Sequence, residues 1–255
     1  MDFKQKTIDD LIESERLMVL TAPQRYGAYY TLALDVSVFL SLVIKSIDRD
    51  HAIFVRFFSQ VKKHHLLAIF STARLHQIQA MMNLRQVLEA GACAAFAIAN
   101  PAPAHFASTT PEGTLVASQK LTIKRYEWLD KHFPQGSSSI KAMKDNINKS
   151  TAHANIAYTQ KNFRLADSGN EFSTPFFDID DAYFVTGDLL MASGLALSLI
   201  DLFYGVNKDV NAIVWRDDFL SQFDALVARQ DDRRSEILSS DQFKGGQQKF
   251  GHLMK

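Results

Sequence analysis

The sequence predicts an all-α fold, a bundle of about seven helices. Hydrophobic residues make up 47 % of the 255 residues and charged residues 22 %, which is the balance of a globular protein. The 11 glycines and 6 prolines are too few for a β-sandwich with many tight turns. Apolar residues also recur at helical spacing over long stretches. A chain of this length buries roughly 70–75 % of the surface that its unfolded form exposes, enough to fold without a disulfide or a metal.

Capping residues and prolines delimit the expected helices. Thr7 and Asp10 nearly form a capping box at the start of the first helix, and Pro23 is expected to end it. The second helix is apolar almost all round, which is typical of a central helix. Small residues from Ala90 to Ala95 on the third helix allow a neighbouring backbone to approach closely. The helices are expected at about residues 7–22, 26–47, 50–100 with a pause near 62–65, 114–132, 140–154, 180–204 and 209–239.

The helical pattern is interrupted once and ends before the C-terminus. Residues 155–178 lack helical periodicity and contain a turn-rich run at 167–170, which predicts a small β-hairpin or loop insertion near 156–178. The bundle is expected to form a single domain over residues 1–240. Residues 241–255 include two consecutive glycines and are expected to form a flexible C-terminal tail.

Composition and missing motifs exclude several classes of function. Lys plus Arg and Asp plus Glu both number 28, whereas nucleic-acid-binding proteins are usually basic overall, although this balance allows a local basic patch. The chain has no glycine-rich phosphate loop, which argues against P-loop and Rossmann enzymes. It has no His-Glu-x-x-His motif and no Glu-x-x-His pair, and we expect no metal and no cofactor. His64 and His65 point about 100° apart on a helix and are expected on a solvated face.

Cysteine usage and the N-terminus indicate a cytoplasmic protein. The only cysteine, Cys93, cannot form an internal disulfide and is expected to be a small buried residue. The acidic N-terminal segment with Asp9 and Asp10 does not resemble a signal peptide. Two apolar stretches, residues 29–47 and 184–206, approach membrane length. Charged residues interrupt both, so we expect them to be bundle helices and expect no membrane partner.

Ionisable residues on apolar stripes are the first candidates for a binding site. Arg85 and Glu89 lie on an otherwise apolar stripe of the third helix, and their i,i+4 spacing allows them to pair. Asp35 interrupts the second helix, and Asp188 falls on an apolar stripe of a later one. Because burying a lone charge is costly, such groups should have partners. Three interpretations follow: these residues form a structural ion network, they line a polar pocket in the bundle core, or they face solvent.

A second group of candidate residues closes the fifth helix. Asn148, Lys149, Ser150 and His153 occupy its last turns, and His153 is offset by about 120° from the apolar stripe of that helix. An imidazole at such a groove edge is near enough to water to donate or accept a proton at neutral pH. Alternatively, His153 is a protonated residue at the helix end that interacts favourably with the C-terminal dipole.

Together, the run from Leu84 to Glu89 and the run from Ser150 to His153 resemble helical domains of the HEPN type, in particular uncharacterised bacterial members. The resemblance spans about residues 66–155. Catalytic HEPN proteins are metal-independent ribonucleases with an arginine shortly before a histidine, near a dimer interface. The resemblance therefore implies that His153 handles the proton of an RNA 2′-hydroxyl or of the leaving group. A cation would stabilise the charge that develops on the phosphate.

The sequence departs from the HEPN pattern at the arginine. Asn148 stands five residues before His153, and no arginine occurs between residues 126 and 163. Lys144 or Lys149 would supply the positive charge, without the planar fork of a guanidinium. Non-catalytic HEPN members serve as binding or dimerisation modules, a role that fits Asn148 better.

Three classes of function follow from these residues. The first is an RNA-targeting effector of bacterial defence or toxin type, with degenerate or metal-independent ribonuclease chemistry. The second is a non-enzymatic module that forms a homodimer or binds a partner protein. The third is a small-molecule pocket around Arg85, Glu89 and the two aspartates. The surfaces expected for the second are the aromatic-rich segment 172–177 and the side of the last helix with Ile213, Leu220, Phe223 and Val227.

Overall fold

The computed structural model of the protein describes residues 7–117, 119–150, 163–165, 172–173 and 175–250. Within these ranges the chain forms eight α-helices, which confirms the predicted all-α class. The helices are α1 (Ile8–Leu42), α2 (Ala52–Ala73), α3 (Gln77–Ala99), α4 (Gln119–His132), α5 (Pro134–Ser150), α6 (Ala182–Val210), α7 (Phe219–Ser239) and α8 (Asp241–Phe250).

Short antiparallel strand pairs connect parts of the bundle. The pairs are β1 (Ile44–Ile47) with β6 (Ile213–Trp215), β2 (Ser108–Thr109) with β3 (Leu115–Val116), and β4 (Arg164–Leu165) with β5 (Phe172–Ser173). The β4–β5 pair falls inside the region where a small hairpin is expected. The β1–β6 pair was not expected, because the sequence predicts helix at both places. It ties the end of α1 to the segment between α6 and α7.

Helix α6 lies at the centre of the bundle. It packs against α1, α2, α3 and α7, and its Leu189, Ile200 and Phe203 are at most 1 % exposed. The ring of Phe203 meets those of Phe54 and Phe58 on α2 edge-on, at centroid distances of 5.7 and 6.0 Å. Among the described residues, α6 is the one helix long and apolar enough to cross a membrane. A buried core helix meets the same criteria of length and composition.

Pro23 does not end the first helix, contrary to the expectation from the sequence. Helix α1 continues through Pro23 and is interrupted at Gly27, where φ is 52° and ψ is −129°. Glycine has no Cβ and adopts this conformation without the steric penalty that other residues would meet. A proline inside a helix removes one backbone hydrogen bond without necessarily breaking the helix. The two expected helices are therefore present, but they meet at Gly27.

The long third helix is broken at residues 74–76 rather than near 62–65. Leu75 has a left-handed backbone with φ of 61°. A carboxylate oxygen of Asp178 accepts a 2.7 Å hydrogen bond from the backbone N–H of Gln77, the first residue of α3. The N–H of Asp178 in turn donates to the carbonyl of Leu75 at 2.9 Å. A carboxylate at a helix N-terminus satisfies an unpaired donor and interacts favourably with the dipole.

The small residues of α3 allow α6 to approach closely, as the sequence predicts. A Cβ on Gly91 would lie 2.6 Å from both terminal methyl carbons of Leu199 on α6, far closer than carbon atoms pack. Leu199 itself is 2 % exposed, so its side chain has little room to move. One face of α3 is thus fixed against the core helix, which leaves the face with Arg85 and Glu89 for other partners.

Two helix ends differ from the expected boundaries. Helix α5 begins at Pro134, earlier than the expected residue 140, because proline is favourable in the first turn, where its missing N–H costs nothing. Helix α8 continues the helical structure as far as Phe250, in the segment for which a flexible tail is expected.

His65 is fully buried, which corrects the expected solvated position beside His64. Its Nε2 donates to the carbonyl oxygen of Ala192 on α6 at 3.2 Å. Its Nδ1 has no hydrogen-bond partner among the described residues. Burial disfavours the imidazolium and lowers the pKa of His65 to about 4.

The burial of His65 makes the stability of the protein fall on acidification. The folded-state pKa of about 4 lies below the unfolded value of 6.5, so the unfolded chain binds the proton first. The stabilisation by neutral His65 is complete above the unfolded pKa and is lost as the pH falls towards 4, by about 3 kcal/mol in all. We expect the free energy of unfolding, measured with urea, to fall less between pH 7 and pH 4 for His65→Leu than for the wild type. Equal decreases in the two proteins would contradict this role of His65.

Candidate functional site

Glu89 contacts two cations, one on its own helix α3 and one on α5. Its Oε1 accepts a hydrogen bond from Nε of Arg85, one turn earlier on α3, at 3.2 Å. The same oxygen lies 3.2 Å from Nζ of Lys144 on α5. The side chains of Arg85, Glu89 and Lys144 are 30 %, 36 % and 20 % exposed. The group is therefore largely shielded but still reachable from solvent.

Tyr126 on α4 completes the surroundings of Lys144. The ammonium donates a hydrogen bond to the Tyr126 hydroxyl at 3.0 Å and lies 5.0 Å from the centre of its ring. Burial lowers the pKa of Lys144, but the Tyr126 hydroxyl and the Glu89 carboxylate outweigh burial and raise it above its usual value. Lys144 therefore stays charged at every physiological pH and acts as a fixed positive charge.

A third cation, Arg125, lies near Cys93. The guanidinium is buried, donates to the hydroxyl of Thr122 at 2.9 Å and lies 5.6 Å from the ring centre of Phe106. Burial raises the pKa of the Cys93 thiol, against the opposing influence of Arg125. The charges of Glu89 and Lys144 also act on this thiol.

We call Arg85, Glu89, Cys93, Arg125, Tyr126 and Lys144 the α3–α5 cluster. It holds three cations and one carboxylate, and these side chains together carry two excess positive charges. Such a partly buried group attracts an anion more strongly than scattered surface lysines do, because the local dielectric constant is low and screening is weak. The cluster suits an anion with several oxygen acceptors, such as a phosphodiester.

The end of α5 carries the other candidate residues. Asn148 lies one turn after Lys144, and its buried Oδ1 has no hydrogen-bond partner among the described residues. Lys149 is 74 % exposed and pairs with Asp145 at 2.6 Å, so it belongs to the solvated side of the helix. Ser150 is the last residue of α5, and its side chain lies outside the described part of the chain. His153 also lies outside the described residues.

Helix α3 contacts both α4 and α5. The ring of Trp128 on α4 lies 5.6 Å from that of Phe96, late in α3. In the middle of α5, Lys144 pairs with Glu89, about two turns earlier on α3.

Asp35 and Asp188 do not join the cluster. Asp35 is about half exposed and forms a 2.8 Å ion pair with Arg229 on α7. Asp188 accepts a 2.7 Å hydrogen bond from the side-chain amide of Gln77. Gln77 and Glu89 are 12 residues apart on α3, which is about 18 Å along the helix axis. The ion network that the sequence allowed between the aspartates and Arg85 is replaced by the bridge to Lys144.

The surfaces expected to bind a partner are mostly packed within the chain. Phe177 is buried, whereas Phe176 is 58 % exposed and meets the His76 ring edge-on. Ile213 is buried in β6, and Leu220 on α7 is 54 % exposed. The other two members of the predicted side, Phe223 and Val227, pack against the core.

Sequence reasoning missed two members of the cluster. Tyr126 and Arg125 come from α4, and no local spacing connects that helix with α3. The sequence did offer an indication for Lys144, since it stands one turn before Asn148 on the same helix.

Among the described residues, no three His, Cys, Asp or Glu side chains are grouped to hold a metal ion. No protein-family model, no curated protein and no solved structure matches the chain.

The partial burial of the Lys144–Glu89 pair should make it stronger than an ordinary surface pair. Lys149 and Asp145 on the same helix, 74 % and 57 % exposed, supply the matched comparison. In double-mutant cycles with Lys→Met, Glu→Gln and Asp→Asn, measured by urea unfolding, we expect a coupling of about 1 kcal/mol for the first pair and under about 0.5 kcal/mol for the second. Equal couplings would show that partial burial does not strengthen the bridge between α3 and α5.

Proposed function

We propose that the protein is an RNA-targeting helical protein of the cytoplasm, which holds an RNA phosphodiester at the α3–α5 cluster. The observation that carries this proposal is the contact of Arg85 and Lys144 with a single carboxylate, Glu89, while a third cation, Arg125, acts on Cys93 one turn further along α3. The formal charge of the whole chain is zero, so its net charge does not account for the local excess. A concentrated positive site on a neutral protein favours a localised anion over general binding to polyanions.

Three members of the cluster have distinct parts in holding the phosphate. Arg85 offers a planar fork of donors to two phosphate oxygens. Lys144 contributes a point charge, whose position is fixed by Glu89 and Tyr126. Glu89 keeps the two cations close together in the absence of the ligand, and this preorganisation lowers the cost of binding. The exposed share of Arg85 and Lys144 leaves room for an anion to approach from solvent.

His153 would add cleavage to binding. In a metal-independent reaction, a base removes the proton of the 2′-hydroxyl, and the 2′-oxygen attacks the neighbouring phosphorus. The 5′-oxygen then leaves and takes a proton, and a 2′,3′-cyclic phosphate forms. Imidazole suits both proton transfers at neutral pH, and fixed cations stabilise the charge that builds up on the phosphate. This chemistry would let an effector of bacterial defence or a toxin destroy RNA.

RNA binding is the direct test of the proposal. We expect single-stranded RNA of about 16 nucleotides to bind to the wild type, with Arg85→Met and Lys144→Met each weakening the affinity about five- to tenfold. Lys45→Met is the control. Lys45 lies on β1, outside the cluster, and forms an exposed ion pair with Asp217 at 3.0 Å. Fluorescence anisotropy at fixed salt gives the affinities. Absent binding, or equal effects of all three substitutions, would favour a non-enzymatic dimerisation or partner-binding module.

Cleavage is tested separately with His153→Ala. The wild type should degrade RNA in the presence of a chelator, and the product should end in a 2′,3′-cyclic phosphate. His153→Ala should lose at least about a hundredfold in rate, the usual share of a general acid or base, while its RNA affinity stays within about twofold of the wild type. Equal rates for both proteins, or no cleavage by either, would remove His153 from the mechanism.

A further inference from the structure

A large cavity lies between α5 and α6, next to the α3–α5 cluster but on another face of α3 and α5. Its volume is about 640 Å³, within the range of about 300–1,000 Å³ that is typical of small-molecule sites. Leu88 and Met143 line the cavity, and each is the chain neighbour of a cluster residue, Glu89 or Lys144. The cavity and the cluster therefore share two helices without sharing a lining residue.

Apolar side chains make up most of the cavity lining. Leucine, isoleucine and phenylalanine side chains form its floor, and small residues keep it open. A Cβ on Gly136 would lie 3.5 Å from Leu202, and one on Gly205 would lie 3.5 Å from Phe133. A Cβ at either place would make an ordinary van der Waals contact with another lining residue. The apolar lining residues include Leu88, Phe133, Ile140, Leu195, Leu199 and Leu202.

The charged lining residues make one end of the cavity different from its middle. Lys208 lies at one end of the α6 face that lines it, and His132, which precedes α5, lies at the same end. Asp201 is two turns earlier on α6, about 10 Å away along the axis. A carboxylate at that place repels an anionic group from the middle of the cavity. The end with Lys208 is thus the favourable position for a negative charge.

The length of the cavity indicates the size of its ligand. The lining positions on α6 run from Gly194 to Lys208, 14 residues apart, which corresponds to about 21 Å. One extended acyl chain fills half of a bilayer core, about 15 Å. The cavity therefore has room for one acyl chain and its head group.

We propose that this cavity binds one long-chain carboxylate, with the carboxylate at Lys208 and the acyl chain extended along α6 towards Gly194. Apolar burial along the floor provides most of the binding free energy. The Lys208 ammonium, which lies 4.8 Å from the centre of the Tyr204 ring, selects the charge of the head group. This inference is independent of RNA binding, because neither Arg85 nor Lys144 lines the cavity.

The experiment uses the full chain and cis-parinaric acid, a fluorescent long-chain fatty acid. We expect a saturable rise in fluorescence with one molecule bound per chain. Ser139→Leu, at a lining position, should weaken binding about tenfold or more. Ser138→Leu is the matched control, since Ser138 is also exposed on α5 but does not line the cavity. The control should bind like the wild type, and far-ultraviolet circular dichroism verifies the fold of both variants.

The head group is tested with Lys208→Glu and with the methyl ester of the same fatty acid. Each change should weaken binding about fivefold, because each removes the attraction between opposite charges. Three results would overturn the proposal. These are no saturable binding by the wild type, equal binding by Ser139→Leu and Ser138→Leu, and equal affinity for the acid and its ester.

Discussion

The carboxylate of Glu89 is the constraint on which the site depends. It accepts contacts from Arg85 on its own helix and from Lys144 on α5, both at 3.2 Å. Without it, like charges would repel one another in a partly shielded place, and α5 would lose its ionic link to α3. Glu89 therefore does two things together: it positions α5 and holds two cations ready for an anion. A structural role and a binding role reside in one side chain.

Helix α3 can carry this site because its other faces are committed to packing. Because Gly91 has no Cβ, Leu199 of the central helix α6 occupies the space that a Cβ would need. This close contact fixes α3 against α6. Asp178 sets the first residue of α3 by capping the N–H of Gln77. Because α3 is held at its start and along one face, the face with Arg85 and Glu89 keeps a defined orientation. A preorganised site on a rigid element loses less entropy on binding. The core of the bundle thus determines the geometry of the cluster.

The sequence predicted the parts of this arrangement that depend on local spacing. Helical periodicity predicted the all-α class, and i,i+4 spacing predicted the pair of Arg85 and Glu89. Contacts between residues far apart in the chain were beyond this reasoning. The cap of α3 comes from a residue 101 positions later, and Lys144 reaches Glu89 across 55 positions of sequence. His65 was misplaced for the same reason, because its burial depends on the packing of α6 against α2.

The salt dependence of RNA binding tests the central claim most directly, because it counts the phosphate contacts that the cations make. For single strands, each contact contributes about −0.7 to the slope of log affinity against log salt concentration. If Arg85 and Lys144 both contact phosphate, the double variant Arg85→Met/Lys144→Met should show a slope shallower than that of the wild type by about 1.4. An unchanged slope, with the fold of the variant intact, would show that RNA does not bind at the cations held by Glu89.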